Sequence, residues 1–229
     1  RINTHIATVE NVTNSAPANG TFHGDVDAGG TTAAIMQESY DVTDFGTSAP
    51  VGTWQRNASN IVSNSNHSSS KHILSANCTT GGSTTINTFM GGQRDAVFPG
   101  FVGHVRDWKG PMAELIGYTT MLTSTERQKI HSYLAVKYGN TIATDYLSTI
   151  GSTIFVNTAP YNNIIIGIGR DDVEGLIQKQ AHNDDDTVRI YLNTLAASNN
   201  ANGGSFTSDV SYVLIGANTG RLCSTTAAA

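Results

Sequence analysis

At 229 residues the chain is long enough for one large domain or two modest ones, each with its own apolar core. Charged residues make up only 14% of it, and polarity comes from Ser, Thr, Asn and 23 Gly, a mix suited to short strands and many turns. The net charge of −5, with scattered Lys and Arg, argues against a nucleic-acid surface, and no apolar run approaches the roughly 20 residues that span a bilayer.

Residues 1–115 read as short β segments set in polar loops. Ile2 to Val12, Thr32 to Met36, Gly52 to Gln55, Lys71 to Leu74, Thr84 to Phe89 and Gly110 to Tyr118 are the candidate strands. Asn14 to Gly20, Asp25 to Gly30 and the Ser/Asn run from Asn57 to Ser70 read as turns and loops. Strands at this spacing predict a sandwich or barrel and not alternating β-α units.

One helix is predicted over about 123–138. Thr123-Ser-Thr-Glu126 has the form of a capping box, in which the Thr hydroxyl accepts from the Glu126 amide and the Glu carboxylate reaches back. Ile130, Tyr133, Leu134 and Lys137/Tyr138 follow at helical spacing and predict a single apolar stripe, and Gly139 stands where a left-handed residue ends the helix. Beyond it, Thr153 to Val156, Ile164 to Ile168, Leu176 to Lys179, Val188 to Leu192 and Val210 to Ile215 read as five strands. Asp171 to Gly175 and Asn183 to Thr187 form hairpin loops between them, and Ala196 to Thr207 forms a longer loop. The expected domains are therefore 1–139 and 140–229.

Two groups of residues carry a resemblance. Lys109-Gly-Pro-Met-Ala-Glu-Leu-Ile-Gly-Tyr118, Leu122 to Ile130 and Ser132 to Gly139 resemble the closing strand and helix of concanavalin A-like or laminin-G-like jelly rolls in large bacterial surface proteins of Bacteroidetes type. Tyr161-Asn-Asn-Ile-Ile-Ile-Gly-Ile-Gly-Arg-Asp-Asp172, Leu176 to Gln180, Phe206-x-x-Asp209 and Tyr212-Val-Leu-Ile-Gly216 are similar to the small β domain that follows such jelly rolls. The resemblance implies a mainly β chain: a jelly-roll β-sandwich closed by one helix, then a small antiparallel β domain. It also implies an exported, extracellular or cell-surface adhesin or matrix component, often a cargo of type IX secretion. Glycans or other surface proteins are its implied partners.

A complete jelly roll usually carries more sequence before its closing strand than the roughly 110 residues here. The sandwich is therefore expected to lack its first strands or to receive them from a neighbouring chain. Self-association into a surface fibre or sheath through a donated strand is the second functional expectation. A start at Arg1 is compatible with a mature product whose export signal lies elsewhere.

Jelly rolls also host glycoside hydrolases and lyases, which need paired carboxylates on one face. Glu38, Asp41 and Asp44 are the nearest cluster, but a spacing of three does not keep them on one face of a strand, so no enzyme activity is expected. Gly167-Ile-Gly169 lacks the third Gly and the helix of a dinucleotide loop, and is read as a site of close packing or a bulge.

Asp171, Asp172 and the run Asp184, Asp185 and Asp186 are candidate calcium ligands, weighed against the simpler reading of solvated turns. His182, beside the second loop, is read as a surface residue. Trp54 and Trp108 are candidates for stacking on sugar rings, with core packing as the alternative. Cys78 and Cys223 are compatible with one disulfide or with two separate thiols. Asp186-Thr187-Val188 resembles the O-glycosylation acceptor of Bacteroidetes, with Thr187 as the modified residue.

Overall fold

Seventeen strands and one helix follow one another along the described residues of the computed structural model. The structure describes residues 3–10, 20–26, 32–38, 42–44, 52–60, 65–66, 72–79, 87–90, 112–118, 120, 122–183 and 188–218. Side chains are described at 55–60, 73–75, 113–118, 120, 122–183 and 188–218. The fold is mainly β, with antiparallel sheets throughout.

The chain divides into two units, 1–56 with 60–122, and 57–59 with 123–229. In the first unit the strands are β1 (Asn3–Glu10), β2 (Gly20–Val26), β3 (Thr32–Glu38), β4 (Val42–Asp44), β5 (Gly52–Arg56), β6 (Ser59–Asn60), β7 (Ser65–Asn66), β8 (His72–Thr79), β9 (Asn87–Met90) and β10 (Met112–Tyr118). Two five-stranded sheets result, in the orders β10-β1-β8-β5-β6 and β7-β4-β3-β2-β9. In the first, β1 lies between β8 and β10, pairing Thr8 with both Leu74 and Leu115. Ile73, Leu74 and Ser75 are buried in succession, so β8 is covered on both faces there. The strands β2, β4 and β7 occupy stretches that the sequence presents as turns or loops, or leaves unassigned.

The second unit opens with α1 (Ser124–Tyr138). Its ends follow the expected chemistry. Thr123 Oγ1 accepts from the Glu126 amide at 3.2 Å, Glu126 Oε2 accepts from the Thr123 amide at 2.7 Å, and Gly139 takes the left-handed conformation at φ 65°. Hydrogen bonding to Thr123 holds the Glu126 carboxyl below its ordinary pKa. The predicted single stripe is too narrow, because burial runs unbroken from Ile130 to Val136 and takes in His131 and Ser132.

The strands of this unit are β11 (Tyr146–Leu147), β12 (Thr153–Phe155), β13 (Asn163–Asp171), β14 (Leu176–Gln178), β15 (Gln180–His182), β16 (Arg189–Tyr191) and β17 (Ser211–Ala217). They form a three-stranded sheet, β14-β13-β17, and two small pairs, β11-β12 and β15-β16. The helix packs on β11, β13 and β14. It thus lies in one compact unit with the strands that follow it. Leu134, Ile142, Tyr146, Ile165, Ile166 and Leu176 are fully buried and form the centre of the core. Tyr146 crosses this core with its ring edge-on to Phe155. Its phenol accepts from the Ile142 amide and donates to the Asn140 carbonyl, which satisfies a buried hydroxyl. Burial pushes the pKa of that phenol upward.

Candidate functional site

The polar centre of the second unit is built on β13. Along this strand Gly167, Gly169 and Asp171 alternate onto one face. Across the sheet Gly167 pairs with Leu214 and Gly169 with Tyr212. A Cβ on Gly167 would stand 2.7 Å from Leu214 Cγ, and one on Gly169 would overlap the Tyr212 ring. The two glycines thus serve close packing, one of the two roles the sequence offered. The irregularity in β13 lies elsewhere, between Asn163 and Ile166.

With its ring laid over Gly169, Tyr212 delivers its hydroxyl to the end of β13. It donates to Asp171 Oδ2 at 2.9 Å. Asp171 is fully buried, and two further donors come from one residue: the Thr149 amide to Oδ2 at 3.0 Å and Thr149 Oγ1 to Oδ1 at 2.5 Å. Thr149 sits in the 148–151 turn between β11 and β12, closed by a bond from the Gly151 amide to the Ser148 carbonyl. A buried carboxylate is tolerable because three donors replace its water. Burial, then the bond to Asp171, pushes the Tyr212 phenol well above its ordinary pKa, which keeps it a donor.

A second carboxyl stands beside this cluster. Glu174 lies in the turn between β13 and β14, and its Oε2 is buried without a hydrogen-bond partner. Burial, then repulsion from Asp171, pushes its pKa up to about 8 against the opposing attraction of Lys129. Lys129 Nζ, from α1, donates to the Thr149 carbonyl at 2.6 Å. The end of β13, β17 and the 148–151 turn therefore meet at Asp171, and α1 reaches that turn through Lys129.

The next residue on the turn faces outward. Asp172 receives both Arg170 Nε at 2.8 Å and Arg170 Nη2 at 2.7 Å, a bidentate pair on the surface. Hydrogen bonding from Arg170 lowers the Asp172 pKa, and the same bond raises that of Arg170. The Asp172 amide donates to Asp209 Oδ1 at 2.8 Å, and Arg170 Nη1 reaches the Phe206 carbonyl at 3.5 Å. The Arg170-Asp-Asp172 and Phe206-x-x-Asp209 segments, which the sequence presents as separate marks, are thus two halves of one tether.

A third polar centre holds the loop from Leu192 to Val210. The Asn202 amide nitrogen donates to the carbonyls of Leu192 and Thr194, each at 3.1 Å, and its Oδ1 accepts from the Gly204 amide at 2.8 Å. Gln180 bonds Ala196 through both ends of its own amide, and Asn199 Oδ1 accepts from the Lys179 amide at 2.6 Å. Asn202 is 1% exposed, so the loop closes over a hydrogen-bonded interior where an apolar core would otherwise be needed.

Several residues singled out from the sequence lie outside the described residues: Asp41, Trp108, Asp184, Asp185, Asp186, Thr187 and Cys223. Glu38, Asp44, Trp54 and Cys78 lie on strands, and their own side chains are not described. Asp171 and Asp172 are described and do not share a site, since one is buried against Thr149 and Tyr212 and the other pairs with Arg170 on the surface. Among the described residues no group of three or more His, Cys, Asp and Glu gathers as metal ligands. His182 is exposed, in keeping with its surface reading. Thr149, Glu174 and Lys129 carry no motif; the only sequence signal near them is the acidic turn that begins at Asp171.

Residues 126–229 match the family model described as a domain of unknown function (DUF8202). No curated protein and no solved structure matches the chain. The matched stretch begins inside α1 and takes in all seven strands that follow, so its similarity to that family covers nearly the whole second unit.

Proposed function

We propose that the chain is a non-catalytic β module of a large exported bacterial surface protein, where it spaces or presents adhesive domains. The observation that carries this reading is the use made of the turn carboxylates of the second unit. Asp171 accepts from Thr149 and Tyr212, Asp172 from Arg170, and Asp209 from the Asp172 and Val210 amides. These three carboxylates bond the module's own loops, which supports a structural use for them. Two five-stranded antiparallel sheets in the first unit support a jelly-roll sandwich as its fold. The resemblance of Lys109 to Gly139 and Tyr161 to Gly216 to surface-protein modules supports the location.

Two measurements test the reading. Antibody raised against the chain should label intact cells of the producing bacterium as strongly as permeabilised ones; label restricted to permeabilised cells overturns the surface assignment. Incubation with a panel of polysaccharides should release no reducing sugar or unsaturated product, and any turnover overturns the non-catalytic assignment. A glycan array run with and without calcium then separates adhesion, which gives specific spots, from pure spacing, which gives none.

A further inference from the structure

The turn between β13 and β14 contains an element that the tethering of the module does not require. Asp171 already has its three donors, yet Glu174, three residues on, turns one carboxyl oxygen into the same interior. That oxygen meets no donor. Its neighbours from each packed element are Asp171 at the end of β13, Lys129 on α1 and Tyr212 on β17, with Asp209 acting on Tyr212 from the preceding loop. Lys129 is the single cation among them, and its ammonium is bonded to the Thr149 carbonyl at 2.6 Å. A buried anionic oxygen without a donor, beside a second carboxylate, is a costly arrangement, whereas a neutral carboxyl there is tolerable.

We propose that the β13–β14 turn is a proton-gated latch, shut while Glu174 carries its proton and released when Glu174 loses it. Release is cheap for the backbone. Asp172, Val173 and Gly175 are exposed, and Gly175 supplies a left-handed hinge at φ 64°. Two backbone amides of the turn are bonded, Asp172 to Asp209 Oδ1 at 2.8 Å and Gly175 to the Asp172 carbonyl at 3.2 Å, and the Arg170–Asp172 pair lies on its exposed side. When Glu174 ionises, moving it into water relieves both its desolvation and its repulsion from Asp171. The Asp171–Thr149–Tyr212 cluster need not change, so the movement stays local.

The sign of the effect follows from linkage. In the shut turn Glu174 titrates near 8, and in an open turn near its ordinary 4.5. The open form therefore binds fewer protons between those values, and rising pH favours it by about tenfold per pH unit until Glu174 is ionised in both forms.

Native-state hydrogen exchange on the intact chain between pH 6 and 9, corrected for intrinsic rates, reads the opening at the Asp172 and Gly175 amides. The expected result is opening that grows about tenfold per unit from pH 6, levels off above about pH 8, and exceeds that of the core amides of β13 throughout. In Glu174→Gln, which keeps the shape and removes the titration, the turn amides should show no such slope. A flat profile in the parent chain overturns the latch. So does an equal slope in Glu174→Gln, or turn amides that exchange only as fast as the β13 core. A carbon-13 titration of the Glu174 carboxyl in the unaltered chain provides a check that needs no variant: the expected midpoint lies clearly above 4.5, and one near 4.5 overturns the proposal.

Discussion

The Tyr212 hydroxyl and the Asp171 carboxylate meet at 2.9 Å because the Tyr212 ring packs against Gly169, the residue opposite it in the sheet. Side-chain packing on one strand pair thus sets a hydrogen bond two residues further along. Tyr212→Phe keeps the packing and removes one of three donors to a buried carboxylate. The expected loss is about 1.5–3 kcal/mol, read by urea denaturation at neutral pH. Gly169→Ala should cost at least as much, since its methyl group displaces the ring and the hydroxyl together. The double variant should then fall short of the sum of the two, because both act through one bond.

Asn202 gives a second test, of the loop and not the sheet. Asn202→Ala leaves the Leu192 and Thr194 carbonyls and the Gly204 amide without the partner that now meets them in the interior. A cost of about 2–3 kcal/mol is expected from the stranded groups. Limited proteolysis should cut first within 192–210, while bands from the β13–β17 sheet persist. Unchanged resistance in that loop would mean that Gln180 and Asn199 hold it by themselves.

These two centres differ in how far the sequence discloses them. The helix from Ser124 to Tyr138 is legible because its signals are local: a cap three residues from its partner, and a glycine at the stop. The glycines at 167 and 169 are legible as close-packing positions for a similar reason, as they sit inside a strand pattern without a phosphate-binding context. The Thr149–Asp171 bond spans 22 residues, and neither residue type announces the other. Strands of two or three residues, such as β11 and β15, are too short for alternation to register. The helix stripe Ile130, Tyr133, Leu134 understates the burial because α1 is covered over more than one face, which periodicity read for a surface helix does not foresee. The packing of the helix on β11, β13 and β14 is likewise a relation between distant residues that its own sequence does not announce.

The cap of α1 supplies a prediction about that second unit as a whole. Thr123→Ala removes the acceptor for the Glu126 amide and the hydroxyl donor to the Glu126 carboxylate, leaving only the Thr123 backbone amide on that carboxylate. The loss should be about 0.5–2 kcal/mol. Because the helix covers β11, β13 and β14, the loss should appear as a lower midpoint for all strands of that unit and not as local fraying. Hydrogen exchange at Ile165, Ile166 and Ile168 should quicken in step with exchange in the helix. Fraying confined to residues 124–127 would count against this coupling.

The pH profile of overall stability separates two kinds of carboxyl by sign. For Glu126 and Asp172 the folded pKa is lowered, so their contribution is present at neutral pH and is lost as pH falls through the ordinary carboxylate range. Glu174 is the opposite case. Its folded pKa lies near 8, above the ordinary 4.5, so its contribution is complete below about 4.5 and declines as pH rises from there to about 8. Urea midpoints of the intact chain should therefore peak on the mildly acidic side and slope downward through neutrality. Glu174→Gln carries no titratable proton and should lose that downward slope while keeping the fall at low pH, since Glu126 and Asp172 are untouched. A variant that follows the parent curve between pH 5 and 8 would show that another group carries the slope.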